Sequence, residues 1–285
     1  MRTNFNKIEL LLFLREKLKE FIFSYILSDK TIIKMQFKRR LGRKVELENP
    51  IKYNDKLQWL KLYWRDPLAK ICADKYEVRQ YVREKIGSKY LNKLYGVYES
   101  LEEIDLDKLP NKFVLKCTHG SGFNIICNDK SKINWNKEFN KLKKWLRNKY
   151  YLSKVEWVYK DIKPRIVCEK YLDDGTGKPP KDYKIFCFNG EPKLIEVTID
   201  RFGEHKRNYY DPDWNFINVE IRVPSDRKIK IKKPEKLNEM LELSRKLSKD
   251  FPHVRVDFYE VNGEIIFGEL TFFLVSGMGK FNPPE

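Results

Sequence analysis

An α+β fold, and not a doubly wound α/β one, is predicted for this 285-residue chain from three observations. Its first third carries apolar residues at three- and four-residue spacing. Beyond residue 95 the pattern changes to short apolar strands, and two of the resulting hairpins turn at Asn-Gly. Helices fall singly among these strands and do not alternate with each one.

The helical reading begins with residues 8–27, IELLLFLREKLKEFIFSYIL, whose apolar run is broken by Arg15, Glu16, Lys17, Lys19 and Glu20. A bilayer-spanning helix needs about 20 mostly apolar residues, so this segment is expected to be amphipathic and not transmembrane. Packing on the protein's own core is the favoured role. The alternative is peripheral contact with the inner membrane face, helped by the basic run KMQFKRRLGRK that follows. NDKLQWLKLYW and KYEVRQYVREKIG read as two further helices, with Asn54 and Asp74 as candidate N-caps. YGVYES, KFVLKC and FNIIC then read as strands, and residues 136–150 as a helix with Phe139, Leu142, Trp145 and Leu146 on one side. RIVCEKYL is a strand and DDGTGKPPK a loop. DYKIFCFNGEPKLIEVTI is a hairpin turning at Asn189-Gly190, residues 234–248 a helix, and HVRVDFYEVNGEIIFGELTFF a second hairpin turning at Asn262-Gly263. No internal repeat or low-complexity segment is visible.

A formal net charge of +17 calls for anionic partners: nucleic acid, lipid headgroups, nucleotides or acidic sugars. Charge alone does not choose among them, and a lysine-rich surface needs no partner at all. Hydrophobic residues make up 41% of the chain, which excludes intrinsic disorder. The five cysteines form no CxxC pair, several fall in apolar runs, and there are only three histidines. A disulfide framework or zinc site is therefore not expected. No signal peptide is expected, and the compartment is read as reducing and cytoplasmic.

Three stretches carry candidate chemistry. FVLKCTHGSGFNIIC places Lys116 before a Gly120-Ser121-Gly122 turn; glycine amides and an ammonium can hold phosphates, though glycines also simply make turns. The pattern is neither GxxxxGK[ST] nor GxGxxG. KDYKIF puts Asp182 and Lys184 on one strand face. In the last hairpin, a two-residue turn at Asn262-Gly263 would pair Asp257 with Gly268 and send Glu269 to the opposite face. A three-residue loop with a glycine bulge would instead set Arg255 opposite Glu269 and gather Arg255, Asp257, Glu269 and Thr271 on one face. Two carboxylates so placed suit Mg²⁺, which takes one or two protein carboxylates and completes its shell with phosphates and water. Two exposed acids beside an arginine is the plain structural alternative.

The order of these motifs resembles the ATP-grasp superfamily of carboxylate–amine ligases. More narrowly it resembles the TupA-like ATP-grasp family of teichuronopeptide and surface-polysaccharide (capsule) biosynthesis. NPIKYNDKLQWLKLY, ADKYEVRQYV, FVLKCTHGSGFNIIC, PRIVCEKYL, DYKIFCFNGEPKLI and VRVDFYEVNGEIIFGELTF carry the likeness, from about residue 45 onward. The apolar spacing makes 1–95 a helical N-terminal region; the resemblance implies a small lobe with a glycine-rich lid (96–170) and a large lobe with the metal site (171–285), the lobes clasping ATP. It implies Lys75 and Lys116 on the nucleotide phosphates, and Gly120, Ser121 and Gly122 closing over them. It implies Glu169, Lys170, Tyr171 and Leu172 as the hinge at the adenine edge, Asp182 at the ribose and Lys184 as a further nucleotide contact. Asp257 and Glu269 become Mg²⁺ ligands, with Arg255 near the transferred phosphate. Thr271 stands where the superfamily pattern E-x-N has asparagine.

The implied activity is ADP-forming C–N ligation through an acyl phosphate, joining an amino acid or amine to an acidic sugar such as a uronic acid. ATP and Mg²⁺ are the implied cofactors. The N-terminal third looks helical where many relatives have an αβ domain, so the acceptor site does not transfer from them. The basic stretch RKIKIKK at 227–233 is either a contact for a polyanionic acceptor or a lysine-protected edge strand. Two other classes compete: a glycosyltransferase binding a nucleotide sugar, and a basic nucleic-acid-binding module. No RNA- or DNA-binding motif supports the latter, so nucleic acid is not expected as a partner. Oligomeric state is not legible.

Overall fold

The computed structural model describes Leu18 and residues 26–173, 175, 180–199 and 205–284. The amphipathic segment expected at 8–27 falls almost wholly outside these residues, as does part of the loop at 173–181. Among the described residues, no helix is long and apolar enough to cross a membrane.

Among the described residues, four α-helices precede the first sheet. Ser28 caps helix α1 (Asp29–Leu41), its Oγ accepting from the Thr31 amide at 3.2 Å, and Gly42 ends it at φ +76°. Helices α2 (Tyr53–Tyr63), α3 (Pro67–Ala73) and α4 (Val78–Lys85) follow. The two expected N-caps are placed differently. Asn54 lies inside α2, buried, and its Nδ2 donates to the Gly279 carbonyl at 2.7 Å. Asp74 caps the turn between α3 and α4, accepting from the Tyr76 and Glu77 amides at 2.7 and 3.2 Å. A tertiary partner outweighs local capping for Asn54, and Asp74 meets the free amides two and three residues on.

The first sheet is antiparallel, in the order β1-β4-β2-β3, from β1 (Leu94–Tyr98), β2 (Phe113–Cys117), β3 (Asn124–Cys127) and β4 (Ile166–Lys170). Strand alternation sends Phe113, Leu115 and Cys117 inward, against Leu142 of helix α5 (Trp135–Leu146), and leaves Lys116 on the other face. Helix α6 (Tyr150–Lys154) follows α5. The expected single helix at 136–150 is thus two helices with a break at 147–149.

The second sheet runs β11-β10-β5-β6-β7-β8. Its strands are β5 (Lys181–Phe188), β6 (Glu191–Ile199), β7 (Lys206–Tyr210), β8 (Phe216–Ile217), β10 (His253–Val261) and β11 (Glu264–Thr271). The β5–β6 and β10–β11 hairpins turn at Asn189-Gly190 and Asn262-Gly263, with φ positive at all four residues, as two-residue turns of this twist require. Between these hairpins, β9 (Glu220–Ile221) pairs with β12 (Phe281–Asn282) in a separate ribbon. Residues 227–233 form no strand; Asn208 Nδ2 donates to the Asp226 and Ile229 carbonyls, which fixes this stretch as a turn beside β7.

One buried cluster joins the early helices to the second sheet. Leu57, Ala69, Val78 and Val82 pack with Ile185, Val254, Val256 and Phe258, and Met240 and Leu247 of helix α7 (Leu237–Ser248) complete the group. Each of the larger side chains here, fully buried, contributes about 1.5–3 kcal/mol. This packing fixes α3 and α4, and Lys75 between them, over the edge of the same sheet whose other face carries the charged residues.

Candidate active site

The site begins with the pleat of β10. Val254, Val256 and Phe258 enter the core, so Arg255 and Asp257 project from the opposite face. Their neighbours are set by register: Lys184 on β5 lies opposite Asp257, and on β11 Glu269 and Thr271 lie opposite Asp257 and Arg255. The turn at Asn262-Gly263 has two residues, not three, and Arg255 stands opposite Thr271 and not Glu269, so the three-residue alternative is corrected in both loop length and register. The pairing shifts at a bulge formed at Gly268, between Phe258↔Phe267 and Asp257↔Glu269. Without it Glu269 would share the core face with Phe267. A Cβ at position 268 would sit 3.1 Å from both the Asp257 carbonyl oxygen and the Tyr259 ring, which explains glycine at the bulge.

Arg255 organises this row. Its Nε and Nη2 donate to the two oxygens of Asp257, each at 2.6 Å, and Nη2 also reaches Thr271 Oγ1 at 3.1 Å and Glu269 Oε1 at 3.4 Å. Lys184 Nζ sits 3.2 Å from Asp257 Oδ2 and bonds Asp182. Burial alone would raise the Asp257 pKa, but Arg255 and then Lys184 outweigh it and hold the carboxyl below its usual value. Burial likewise works against the charge on Lys184, and Asp257 and Asp182 reverse this, raising its pKa. Asp257 and Lys184 are therefore held charged. Glu269, with 41% of its side chain exposed, is the open carboxylate of the row.

The first sheet and the helices supply the facing wall. Lys116 Nζ bonds Glu169 Oε2 at 2.7 Å, and Arg79 Nη1 holds the other oxygen at 3.3 Å. Lys75 Nζ donates to the Gly120 carbonyl. Burial lowers the Lys75 pKa; Glu269 opposes this and Lys116 reinforces it, so charges from both walls act on one another. In the loop between β2 and β3, a Cβ at Gly120 would come within 2.9 Å of Phe123 and 3.0 Å of Tyr150, and Gly122 has φ +81°. Gly120 is thus required by the rings packed against it, and Gly122 by the backbone path itself.

Between the walls lies a cleft of about 390 Å³. It brings together Lys75, Lys116, Ser121, Glu169, Lys184, Arg255, Asp257, Glu269 and Thr271 of the residues named from sequence. Gly120, Gly122, Lys170, Tyr171, Leu172 and Asp182 do not border it. Asp182 is buried against Lys184, and the Lys170 backbone donates to the Lys93 carbonyl and accepts from Asn92. Arg40, Lys154, Glu156, Arg207 and Arg222 also line the cleft and were not singled out from sequence. Nothing local marks them among so many basic residues, because long-range packing brings them in.

Among the described residues no three His, Cys, Asp or Glu side chains gather to hold a metal. The donors available are two carboxylates and the Thr271 hydroxyl, all hard oxygens. This set fits an ion that draws the rest of its shell from phosphates and water.

Two antiparallel sheets facing across a lysine- and arginine-lined cleft, with paired carboxylates on the larger sheet, define an α+β protein of the ATP-grasp kind. A family model described as TupA-like ATPgrasp matches residues 55–285, and the chain belongs to that family. Among solved structures it is similar to D-alanine–D-alanine ligase from Bacillus anthracis complexed with ATP, at 16% identity over 71% of this chain and 55% of that one, with a TM-score of 0.44. It is also similar to the L-amino acid ligase from Bacillus licheniformis, at 15% identity over 79% of this chain and 49% of that one, TM-score 0.47. A third similarity is to the ADP complex of N5-carboxyaminoimidazole ribonucleotide synthetase, at 13% identity over 86% and 58%, TM-score 0.47. The chain spans about half the length of these enzymes. No curated protein matches it.

Proposed function

We propose that this chain is an ATP-dependent carboxylate–amine ligase, joining an amino acid or other amine to an acidic sugar in bacterial surface-polysaccharide biosynthesis. The observation that carries the reading is the facing of Lys75 and Lys116 with Arg255, Asp257 and Glu269 across one cleft, in a chain of the TupA-like ATP-grasp family. The substrate carboxylate attacks the γ-phosphate of ATP, releasing ADP and forming an acyl phosphate. The amine then attacks the acyl carbon and expels phosphate. Both steps need positioned positive charge and exclusion of water more than a protein nucleophile. Lys75 and Lys116 bind phosphate oxygens, Arg255 faces the transferred group, and the 118–123 loop shields the acyl phosphate from hydrolysis. Asp257, Glu269 and Thr271 would hold Mg²⁺, which neutralises phosphate charge when bound. The basic surface serves an acidic glycan precursor and not nucleic acid, in the cytoplasm or at the inner membrane face.

Calorimetric titration with ATP and ADP, with and without Mg²⁺, tests this reading beside Lys116→Ala. Mg²⁺-dependent adenine-nucleotide binding is expected, with kcat/KM in the variant lowered by about 3–4 kcal/mol of transition-state stabilisation and the fold intact by circular dichroism. Tighter binding of UDP-sugars than of ATP, or near-normal turnover in the variant, would overturn it. A panel of uronic acids and amino acids then identifies the substrates by ADP release.

A further inference from the structure

The cleft holds more positive charge than a nucleotide consumes. Eight cationic side chains and four carboxylates line it, a lining charge of +4. A magnesium-bound nucleoside triphosphate brings only about two net negative charges. The surplus has a location. Lys116, Lys184 and Arg255 each face a carboxylate inside the cleft. Arg40, in the last turn of α1, and Arg222, just after β9, pair with no acid among the described residues. These two arginines border both the cleft and an adjoining hollow of about 210 Å³, which is completed by Met278, Gly279 and Lys280.

Arg222 is also held in an unusual backbone state. Its φ is +67°, and its amide donates to the Lys280 carbonyl at 3.0 Å. A non-glycine residue there is strained, and Arg222 lines both hollows. Arg40 lies before residue 55, outside the family match, so the junction combines the N-terminal helix with the family's own region.

We propose that Arg40, Arg222 and Lys280 form a second anion subsite, which selects an acid substrate carrying two anionic groups. One carboxylate enters the cleft for activation; the second group, a neighbouring uronate carboxylate or a glycosyl phosphate, is gripped at the junction. Guanidinium groups suit both, since their planar fork matches carboxylate and phosphate oxygens. The subsite deepens the ligase reading by naming the charge pattern of its acid, and it rests on that reading only for the activation step.

The test is calorimetry at fixed ionic strength with four probes: galacturonate, digalacturonate, galacturonic acid 1-phosphate and neutral galactose. The protein is titrated as wild type and as the double variant Arg40→Ala, Arg222→Gly. Glycine accepts φ +67° without strain, so the loop keeps its path. Wild type is expected to bind at least one dianion at least about tenfold more tightly than galacturonate, and the double variant to lose that margin. Affinity for Mg²⁺–ADP, measured in parallel, is expected to fall by less than the dianion margin, although both arginines also line the cleft. Whichever dianion holds the margin identifies the second group. Equal affinity for mono- and dianions, no binding of either dianion, or a margin kept in the double variant overturns the subsite. Arginine-dependent dianion binding without nucleotide binding would sink the ligase reading and leave the subsite standing; the reverse pattern would do the opposite.

Discussion

Lys61 and Glu156 should give the protein a pH-dependent weakness close to neutrality. Lys61 is fully buried, its Nζ donating to Gln58 Oε1 at 3.1 Å and to the Ser276 carbonyl and hydroxyl at 3.2 and 3.1 Å. Burial pushes its pKa down from 10.5 to about 8, against the pull of Glu156, and pushes Glu156 up from 4.5 to about 7, against the pull of Lys61. The raised Glu156 contributes stability that is complete below pH 4.5 and lost as pH rises through about 7. The lowered Lys61 contributes stability that is complete above pH 10.5 and lost as pH falls through about 8. Both contributions are therefore missing between about pH 7 and 8. At 1.36 kcal/mol for each unit of displacement, each costs about 3 kcal/mol there. The perturbation is the double substitution Lys61→Met, Glu156→Gln. Urea unfolding of both proteins at pH 5, 7.5 and 10 gives the difference in stability, from which other titrating groups cancel. That difference should favour the variant most at pH 7.5, by about 2–3 kcal/mol relative to either extreme. A difference that does not change with pH would refute the reasoning.

Two further substitutions probe the site and its frame. Gly268→Ala puts a methyl against the Asp257 carbonyl and the Tyr259 ring, and should cost about 1–2 kcal/mol in thermal unfolding while weakening Mg²⁺-dependent nucleotide binding. Gly263→Ala, at φ +74° in the hairpin turn with nothing within 4 Å, should cost about 1 kcal/mol and leave nucleotide affinity alone; equal binding losses would deny the bulge its role. His253, buried between the Tyr53 hydroxyl at 2.9 Å and the Cys187 carbonyl at 3.0 Å, is pushed down by burial from 6.5 to about 4. Its contribution is present above pH 6.5 and lost as pH falls through about 4, so His253→Gln should remove about 3 kcal/mol of acid sensitivity in that window; an unchanged acid-unfolding curve would count against it.

The cleft is costly to maintain without a ligand. Asp257 has given up water on both oxygens, and only the fork of Arg255 and the ammonium of Lys184 offset that loss. Breaking one member of such a buried group removes far more than a surface pair is worth, about 3–5 kcal/mol against less than 1. This asymmetry favours exchange of partners over simple loss when an anion and its counter-ion enter. Glu269 is half open and Glu169 already holds two cations, so each wall carries a carboxylate that can trade a protein partner for a ligand while its cations turn to phosphate.

What could be read from residues alone follows from the range of the interactions involved. Hairpins at Asn189-Gly190 and Asn262-Gly263 and the shared face of Asp182 and Lys184 depend on strand period and turn chemistry. These are local, and they were legible. Arg40, Arg207 and Arg222 reach the cleft only because α1, β7 and β9 pack around it, and no local signal separates them from other basic residues. Glu269 lies between these cases. Strict alternation from a two-residue turn sends it to the core face, yet it stands opposite Asp257. The signal was Gly268: a lone glycine inside a strand of apolar residues marks a bulge, and one extra residue reverses the face of everything beyond it. Had the register been taken from that glycine and not from the loop length, both carboxylates would have fallen on one face with the turn left at two residues. The carboxylate pair that the proposed chemistry needs thus depends on a residue with no side chain.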